Sequence, residues 1–407
     1  MKFVAVTYGT EGDTRPMALL CRALMNAGHS AHLLAGAGTL DYPATLGVTT
    51  TALAGDIRTV LRQDTVLKHG GFRNTARAFA RIAAVNSGPW LRATAAASEG
   101  CDAVIIGGLA AFVGLSAAEA VGIPAIGTGL IPITPTRDFA SPFLRPGLVP
   151  RWLNRASHKL VNALIWHVFK GPVNAARADV CGLPPRRHVW TSHPMLYGIS
   201  PSLVPQPADW QPTARICGHW LAPETEWSPP AALGEFLAAG EPPVYVGFGS
   251  MGALGSAQWM GEALRALRGR RALFYPGWSN GSAVVLPPNI HVLTSAPHGW
   301  LFPRVRMVIH HGGAGTAHAA ARAGVPSVVV PFAGDQFFWA DRLREAGVAP
   351  APVLANGLNA DQLARAIDAA DRDEVCAKAA ALAVSFVRED GLKTAVTAIE
   401  SLVRNCV

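Results

Sequence analysis

Residues 307–323 read MVIHHGGAGTAHAAARA. Met307–His310 is a short apolar run of β character. A turn of small residues follows, and Thr316–Ala323 reads as a helix. The next run, Val328–Pro331, is apolar again. Strand, glycine-rich turn, helix, strand is the repeating unit of a parallel sheet, whose neighbouring strands need a crossover connection.

Outward from this stretch the alternation recurs. Val244–Phe248 and Ala272–Tyr275 read as strands around a helix at Ala257–Arg268, and Asp361–Asp368 and Thr394–Val403 read as closing helices. In the first half, Phe3–Thr7, His29–Ala35, Ala103–Gly107 and Ile123–Ile126 read as strands. Thr14–Ala27 carries Leu19, Leu20, Ala23, Leu24 and Ala27 at helical spacing and ends at Gly28. Strands this apolar predict sheets covered on both faces. A proline-rich stretch from Pro201 to Pro243 interrupts the pattern. The expectation is an α/β chain of two Rossmann-like, doubly wound parallel-sheet domains facing a cleft. The first spans 1–205, a linker 206–243 and the second 244–380, with a helix in 381–407 packing back on the first.

The 407 residues allow two or three domains. A hydrophobic share of 50% against 15% charged excludes a disordered chain. Mean hydropathy is +0.24, yet no apolar run nears the roughly 18–20 residues that span a bilayer. The opening MKFVAVTYGT reads as a strand rather than a signal peptide, which predicts a cytoplasmic location, with contact at the inner membrane face left open. Six cysteines stand singly, so neither a disulfide framework nor a zinc site is signalled. The net charge of +8 comes mostly from isolated arginines, which disfavours nucleic acid and fits an anionic small substrate or a membrane surface.

Four strand ends carry chemistry. Gly9-Thr10-Glu11-Gly12-Asp13-Thr14-Arg15-Pro16 follows the first strand. Its glycines permit a sharp turn; Thr14 suits an N-cap and Pro16 a first helical turn. The dinucleotide pattern G-x-G-x-x-G is missing, and the second strand runs into Gly36-Ala37-Gly38 with no acidic residue, so nicotinamide chemistry is disfavoured. Asp13 is either a carboxylate facing the cleft or a helix cap. His310-His311-Gly312-Gly313-Ala314-Gly315-Thr316 opens a helix whose free amides and dipole suit phosphate; a metal lacks an acidic third ligand nearby. Asp335-Gln336 could bracket vicinal sugar hydroxyls, or Asp335 could cap the next helix. Gly249-Ser250 could meet a phosphate. Asp371-Arg372-Asp373 has D-x-D spacing but reads as solvated surface.

These elements, in this order, resemble the GT-B family of inverting glycosyltransferases that use nucleotide sugars. The likeness is closest to sterol and lipid glucosyltransferases and bacterial natural-product glycosyltransferases. It rests on GTEGDTRP (9–16), FGSM (248–251), APHGWLFP (296–303), HHGGAGT (310–316) and PFAGDQFFWA (331–340). The resemblance implies Asp13 as base, with Gly12 and Thr14 in a phosphate loop near the N-terminus. It further implies that His310 binds the diphosphate, with Gly313 and the amides of Ala314, Gly315 and Thr316. Ser250 would touch a phosphate, Asp335 and Gln336 the sugar hydroxyls, and the Ala296 backbone the base edge. Ser295 and His298 depart from the Trp and Gln of plant relatives, and the strand ending at Ile106-Gly107-Gly108 lacks the acidic partner that plants place there. UDP-glucose is the implied donor, with dTDP-sugars and other hexoses left open. A hydrophobic sterol, lipid or polyketide-type acceptor is implied, with no cofactor and no metal. The competing readings are an epimerase or hydrolase on the same scaffold, using His298 or His311, and a catalytically silent auxiliary partner.

One further segment stands out. From Arg137 to Arg187 the chain carries nine Lys or Arg against Asp138 and Asp179. Within it Trp152–Phe169 reads as an amphipathic helix with Leu153, Ala156, Leu160, Leu164 and Val168 on one face. That face either packs into the core or lies on an anionic membrane.

Overall fold

The computed structural model describes residues 1–57, 72–222, 227–249, 257–276 and 286–405. Ser250, expected to touch a phosphate, lies outside the described residues.

Among the described residues of the first domain seven strands form one sheet: β1 (Lys2–Val6), β2 (Ser30–Gly36), β3 (Thr49–Leu53), β4 (Ala103–Ile106), β5 (Ala125–Gly129), β6 (Met195–Tyr197) and β7 (Ala214–Ile216). Their order is β3-β2-β1-β4-β5-β6-β7, every pair parallel. The helices are α1 (Glu11–Asn26), α2 (Asp41–Thr45), α3 (Phe72–Ser98), α4 (Ala111–Val121) and α5 (Asn154–Cys181). One sheet face buries Leu20 and Leu24 of α1; the other buries Trp90 and Leu91 of α3.

In the second domain α6 (Ala231–Ala238) precedes β8 (Val244–Gly247), α7 (Ala257–Leu267), β9 (Ala272–Tyr275), β10 (Ile290–Val292), α8 (His298–Leu301), β11 (Met307–His310), α9 (Ala314–Ala323), β12 (Ser327–Val329), α10 (Gln336–Glu345), α11 (Ala360–Ala370), α12 (Asp373–Val387) and α13 (Gly391–Arg404). The sheet order is β10-β9-β8-β11-β12, again parallel throughout. In each sheet the order reverses beside the first strand, between β1 and β4 and between β8 and β11. Ligands bind outside the carboxyl ends of strands at such points.

Several boundaries differ from the sequence reading. The expected linker 206–243 contains β7, which pairs with β6, and α6, whose Leu233 joins the second domain's core. Both elements are short and sit among prolines, which masked their periodicity. The boundary at 380 falls inside α12, one continuous helix. After it α13 crosses to the first domain, where Ala395 and Ile399 pack with α1. A third apolar cluster joins the domains, combining Tyr197, Ile199 and Trp210 with Trp339, Leu343 and Phe386.

Helix α1 starts at Glu11, capped by Thr10 rather than Thr14, and Pro16 falls in its second turn. Helix α5 also rotates the expected stripe outward. It buries Asn154, Ser157, His158, Val161, Trp166, Phe169 and Val173, while Leu160 and Leu164 of the expected apolar face are exposed and do not pack into the core. The aromatic residues of α3, α4 and α5 decide this: Phe112 packs against Trp166 and Phe169 with centroids 5.0 and 5.4 Å apart.

Candidate active site

The two switch points face one cleft of about 3160 Å³. Asp13, Arg15, Gly107 and Thr128 line it from the first domain. His298, His311, Gly313, Ala314, Gly315, Thr316, Asp335 and Gln336 line it from the second.

Asp13 satisfies both of its sequence readings. It is the third residue of a capping box: its Oδ2 accepts from Thr10 N–H at 2.9 Å, and the Thr10 hydroxyl accepts from Gly12 N–H at 3.3 Å. The carboxyl also faces the cleft, packed against Gly9, where a β-carbon would fall 2.1 Å from Oδ2. Enclosure by the cleft walls pushes its pKa up to about 6, against the opposing pull of the Thr10 hydrogen bonds. A carboxylate with that pKa is a better proton acceptor than an ordinary Asp.

Of the two residues expected in a phosphate loop, Gly12 lines the cleft and Thr14 does not. The Gly12 amide is spent on Thr10, and Thr14 is buried with its hydroxyl 2.9 Å from that of Thr39. The start of α9 is the opposite case. Its N-cap is Gly313, with no side-chain cap bond, and Ala314, Gly315 and Thr316 open directly on the cleft. Their amides and the helix dipole offer an anion site. Gly312 makes the approach with φ +90°; a β-carbon there would lie 2.8 Å from the Gln336 carbonyl oxygen.

Of the adjacent histidines, His311 lines the cleft and His310 does not. His310 is fully buried; its Nδ1 accepts from Gly312 N–H at 3.1 Å, and its Nε2 has no partner. Burial lowers its pKa to about 3 and that of His311 to about 4, so both rings are neutral at pH 7. His298 stacks on Phe302 at 4.4 Å. Its pKa is lowered to about 4, by burial first and then by the charge of Arg15, which reaches it across the cleft.

Asp335 does not cap α10, since its side chain makes no cap bond. Instead its Oδ2 accepts from Trp339 Nε1 at 3.1 Å. Burial pushes its pKa up to about 6, and the charge of Asp13 across the cleft adds to the rise. Gln336 is committed in part: its Oε1 accepts from Phe332 and Ala333 N–H at 2.7 and 3.1 Å, and only its amide nitrogen is spare. Ala296 lines the same wall. Asp371 lies elsewhere, paired with Arg306 at 2.6 Å on the surface. Among the described residues no three His, Cys, Asp or Glu side chains converge as a metal site.

Sequence reasoning did not single out two residues that shape the cleft and its surroundings. Arg15, bonded to Glu11 at 2.9 Å and stacked over Tyr42, places a cation in the cleft. His318 ties α9 to the first domain: its Nδ1 lies 2.8 Å from the Ala314 carbonyl, and its Nε2 accepts from Ser200 N–H at 3.0 Å. The i, i+4 spacing of Ala314 and His318 was visible, but the Ser200 contact, 118 residues away, was not. Away from Asp13 and Arg15 the first domain's share of the cleft has an apolar and aromatic stretch, with Ile57, Phe79, Phe112, Ile165, Phe169 and Trp190 on its walls.

The C-terminal domain family of the erythromycin biosynthesis protein CIII-like proteins matches residues 277–392. A sterol 3-beta-glucosyltransferase of Arabidopsis thaliana is 31% identical over 421 residues, covering 98% of this chain and 67% of the relative. A sterol 3-beta-glucosyltransferase of Neurospora crassa is 31% identical over 427 residues, again 98% of this chain but 27% of its own length. Solved structures with the same fold include the glycosyltransferase SnogD from Streptomyces nogalater (TM-score 0.69, 20% identity, 99% of each chain). The glycosyltransferase VinC in complex with dTDP is similar too (TM-score 0.69, 19% identity, 100% of each chain). Two facing parallel-sheet domains, an uncapped helix start at the cleft and this likeness over 98% of the chain place it in the sterol 3-beta-glucosyltransferase family of GT-B-fold glycosyltransferases.

Proposed function

We propose that the protein transfers a hexose from a nucleotide diphosphate sugar to a hydroxyl of a hydrophobic acceptor, with inversion at the anomeric carbon. The observation that carries this reading is the placement of Asp13 and Asp335 on opposite walls of one cleft beside the bare amides of Ala314, Gly315 and Thr316. In this reading Asp13 takes the acceptor's proton as the new C–O bond forms and the bond to the diphosphate breaks. A base with a pKa near 6 is ionised at pH 7 and stronger than an ordinary Asp near ~3.9. The helix dipole and amides, with Arg15 opposite, balance charge on the departing phosphate without a resident metal. Asp335 and the free Gln336 nitrogen hold sugar hydroxyls, and the aromatic first-domain wall receives the aglycone. The related enzymes act on sterols, and we extend that acceptor class, with polyketide-type aglycones beside it, to this chain. UDP-glucose is the leading donor and dTDP-sugars the alternative.

The test is product mass after incubation with UDP-glucose, dTDP-glucose and a panel of sterol and polyketide acceptors, with and without EDTA. A mono-hexosylated product that survives EDTA is expected. Hydrolysed or epimerised sugar with every acceptor left unmodified would refute transfer. Strict dependence on added Mg²⁺ or Mn²⁺ would refute the metal-free reading.

A further inference from the structure

A surface patch on the first domain has a composition unlike a solvated face. Five large apolar side chains between Phe143 and Leu164 are exposed: Trp152 by 81%, Leu148 by 67%, Leu160 by 61%, Leu164 by 41% and Phe143 by 37%. All belong to one continuous segment, the loop before α5 and that helix's first turns. A single exposed Leu needs no explanation, but a cluster of this kind marks an interaction site.

The charge around it has one sign. Between Asp138 and Asp179 the sequence contains no acidic residue. Arg145, Arg151, Arg155 and Lys159 are exposed beside the apolar side chains. Among the described residues none of Arg151, Arg155 and Lys159 has a carboxylate within salt-bridge distance, whereas Arg177, on the buried side of the same helix, is paired with Glu119 at 2.9 Å. Unpaired cations around protruding Trp and Leu match a surface that is anionic outside and apolar within. No helix among the described residues is long and apolar enough to cross a membrane, so the contact is peripheral.

We propose that this patch docks on an anionic lipid bilayer, with Trp152, Leu148 and Leu160 entering the headgroup region and the cations meeting lipid phosphates. The placement has a consequence for access. Phe143, Arg155 and Lys159 also border the cleft, and Val161, Ile165, Val168 and Phe169 of α5 form its wall. The cleft mouth therefore opens beside the docked surface, and an apolar molecule dissolved in lipid could enter it with little exposure to water.

The test reads binding without turnover, so it is independent of the transferase reading. Wild-type protein is sedimented with phosphatidylglycerol-containing vesicles and with pure phosphatidylcholine vesicles, at low and high salt. A variant carrying Arg151→Glu, Trp152→Ser and Leu160→Ser, none of them lining the cleft, is compared with a control, Arg372→Glu, which reverses an exposed cation on the other domain. Thermal melting and nucleotide diphosphate binding confirm that each variant is folded. The expected result is salt-sensitive binding to anionic vesicles only, with each cation near the surface contributing about a fivefold factor. The triple variant should lose at least tenfold and the control less than threefold. Indifference of the wild type to anionic vesicles at low salt would overturn the proposal. So would equal loss in triple variant and control, which would reduce the effect to net charge. Concentration-dependent dimers abolished by the triple variant, without vesicle binding, would assign the patch to a second copy of the chain instead.

Discussion

Replacing Asp13 by Asn separates the two tasks this side chain performs. The amide oxygen can still accept from Thr10 N–H, now 2.9 Å from Oδ2, so the capping box survives, and because the raised pKa marks an ionised carboxyl that opposes folding at pH 7, Asn should not lower stability there. Asp13→Ala removes that acceptor and should cost about 0.5–2 kcal/mol of folding stability. Both variants lose the proton acceptor. A positioned general base typically supplies 10²–10⁴-fold, about 3–5 kcal/mol of the barrier, so kcat should fall by that range in both. Nucleotide diphosphate affinity should hold, because the binding amides belong to the other domain. The wild-type profile adds a second reading. With a pKa of about 6 the base is ionised in roughly nine molecules of ten at pH 7 and one in ten at pH 5, so kcat/KM should have an acid limb centred near 6. Burial is the leading cause of the rise at Asp13, so Asp335→Asn should leave the limb near 6. The assays are initial rates by product mass across pH 4.5–8, and thermal melts of each variant. A folded Asp13→Asn enzyme within tenfold of wild-type turnover, or one keeping the same acid limb, would refute the assignment.

Three further outcomes follow from the same geometry. Gly312→Ala must place a β-carbon at φ +90° and 2.8 Å from the Gln336 carbonyl; it should destabilise the second domain by on the order of 3 kcal/mol and weaken nucleotide binding, as melting and titration calorimetry would show. His318→Phe keeps the ring between His219 and Trp339 but strands Ser200 N–H, while the Ala314 carbonyl keeps its bond within the helix. Roughly 1–3 kcal/mol for that unsatisfied donor, together with weaker diphosphate binding, is expected in the same assays. Acid should destabilise the fold. His310 and His318, fully buried with pKa values lowered to about 3 and 4, stay neutral while the unfolded chain takes up protons below about 6.5. Stability present above pH 6.5 is then lost toward pH 4, by up to about 1.4 kcal/mol per histidine per pH unit. The raised Asp13 and Asp335 act in the opposite sense below about 6 and offset part of the loss. A melting temperature unchanged between pH 7 and pH 5 would contradict this balance.

Much of this protein was legible before any coordinates. Alternating apolar runs and helical periods announced two parallel sheets, because strand and helix periodicities are local and parallel strands must be buried on both faces. Glycines at 9, 312 and 313 marked where the chain turns at strand ends, because the positive φ of Gly312 and the close approach of Asp13 to Gly9 and of His311 to Gly313 leave no room for a β-carbon. Asp13 and Asp335 could be named from their place after such strands. The tertiary structure decided what local pattern cannot. It chose His311 over His310 for the cleft, since the turn at Gly312 buries the first ring and presents the second. It engaged the Gln336 oxygen with its own loop, spent the Gly12 amide on Thr10, and left the start of α9 bare. It also turned the apolar stripe of α5 outward, because Trp166 and Phe169 packed against Phe112 from a helix some 50 residues away in sequence. Which polar group is satisfied, and which apolar face is covered, depends on partners distant along the chain; periodicity records only that a face exists.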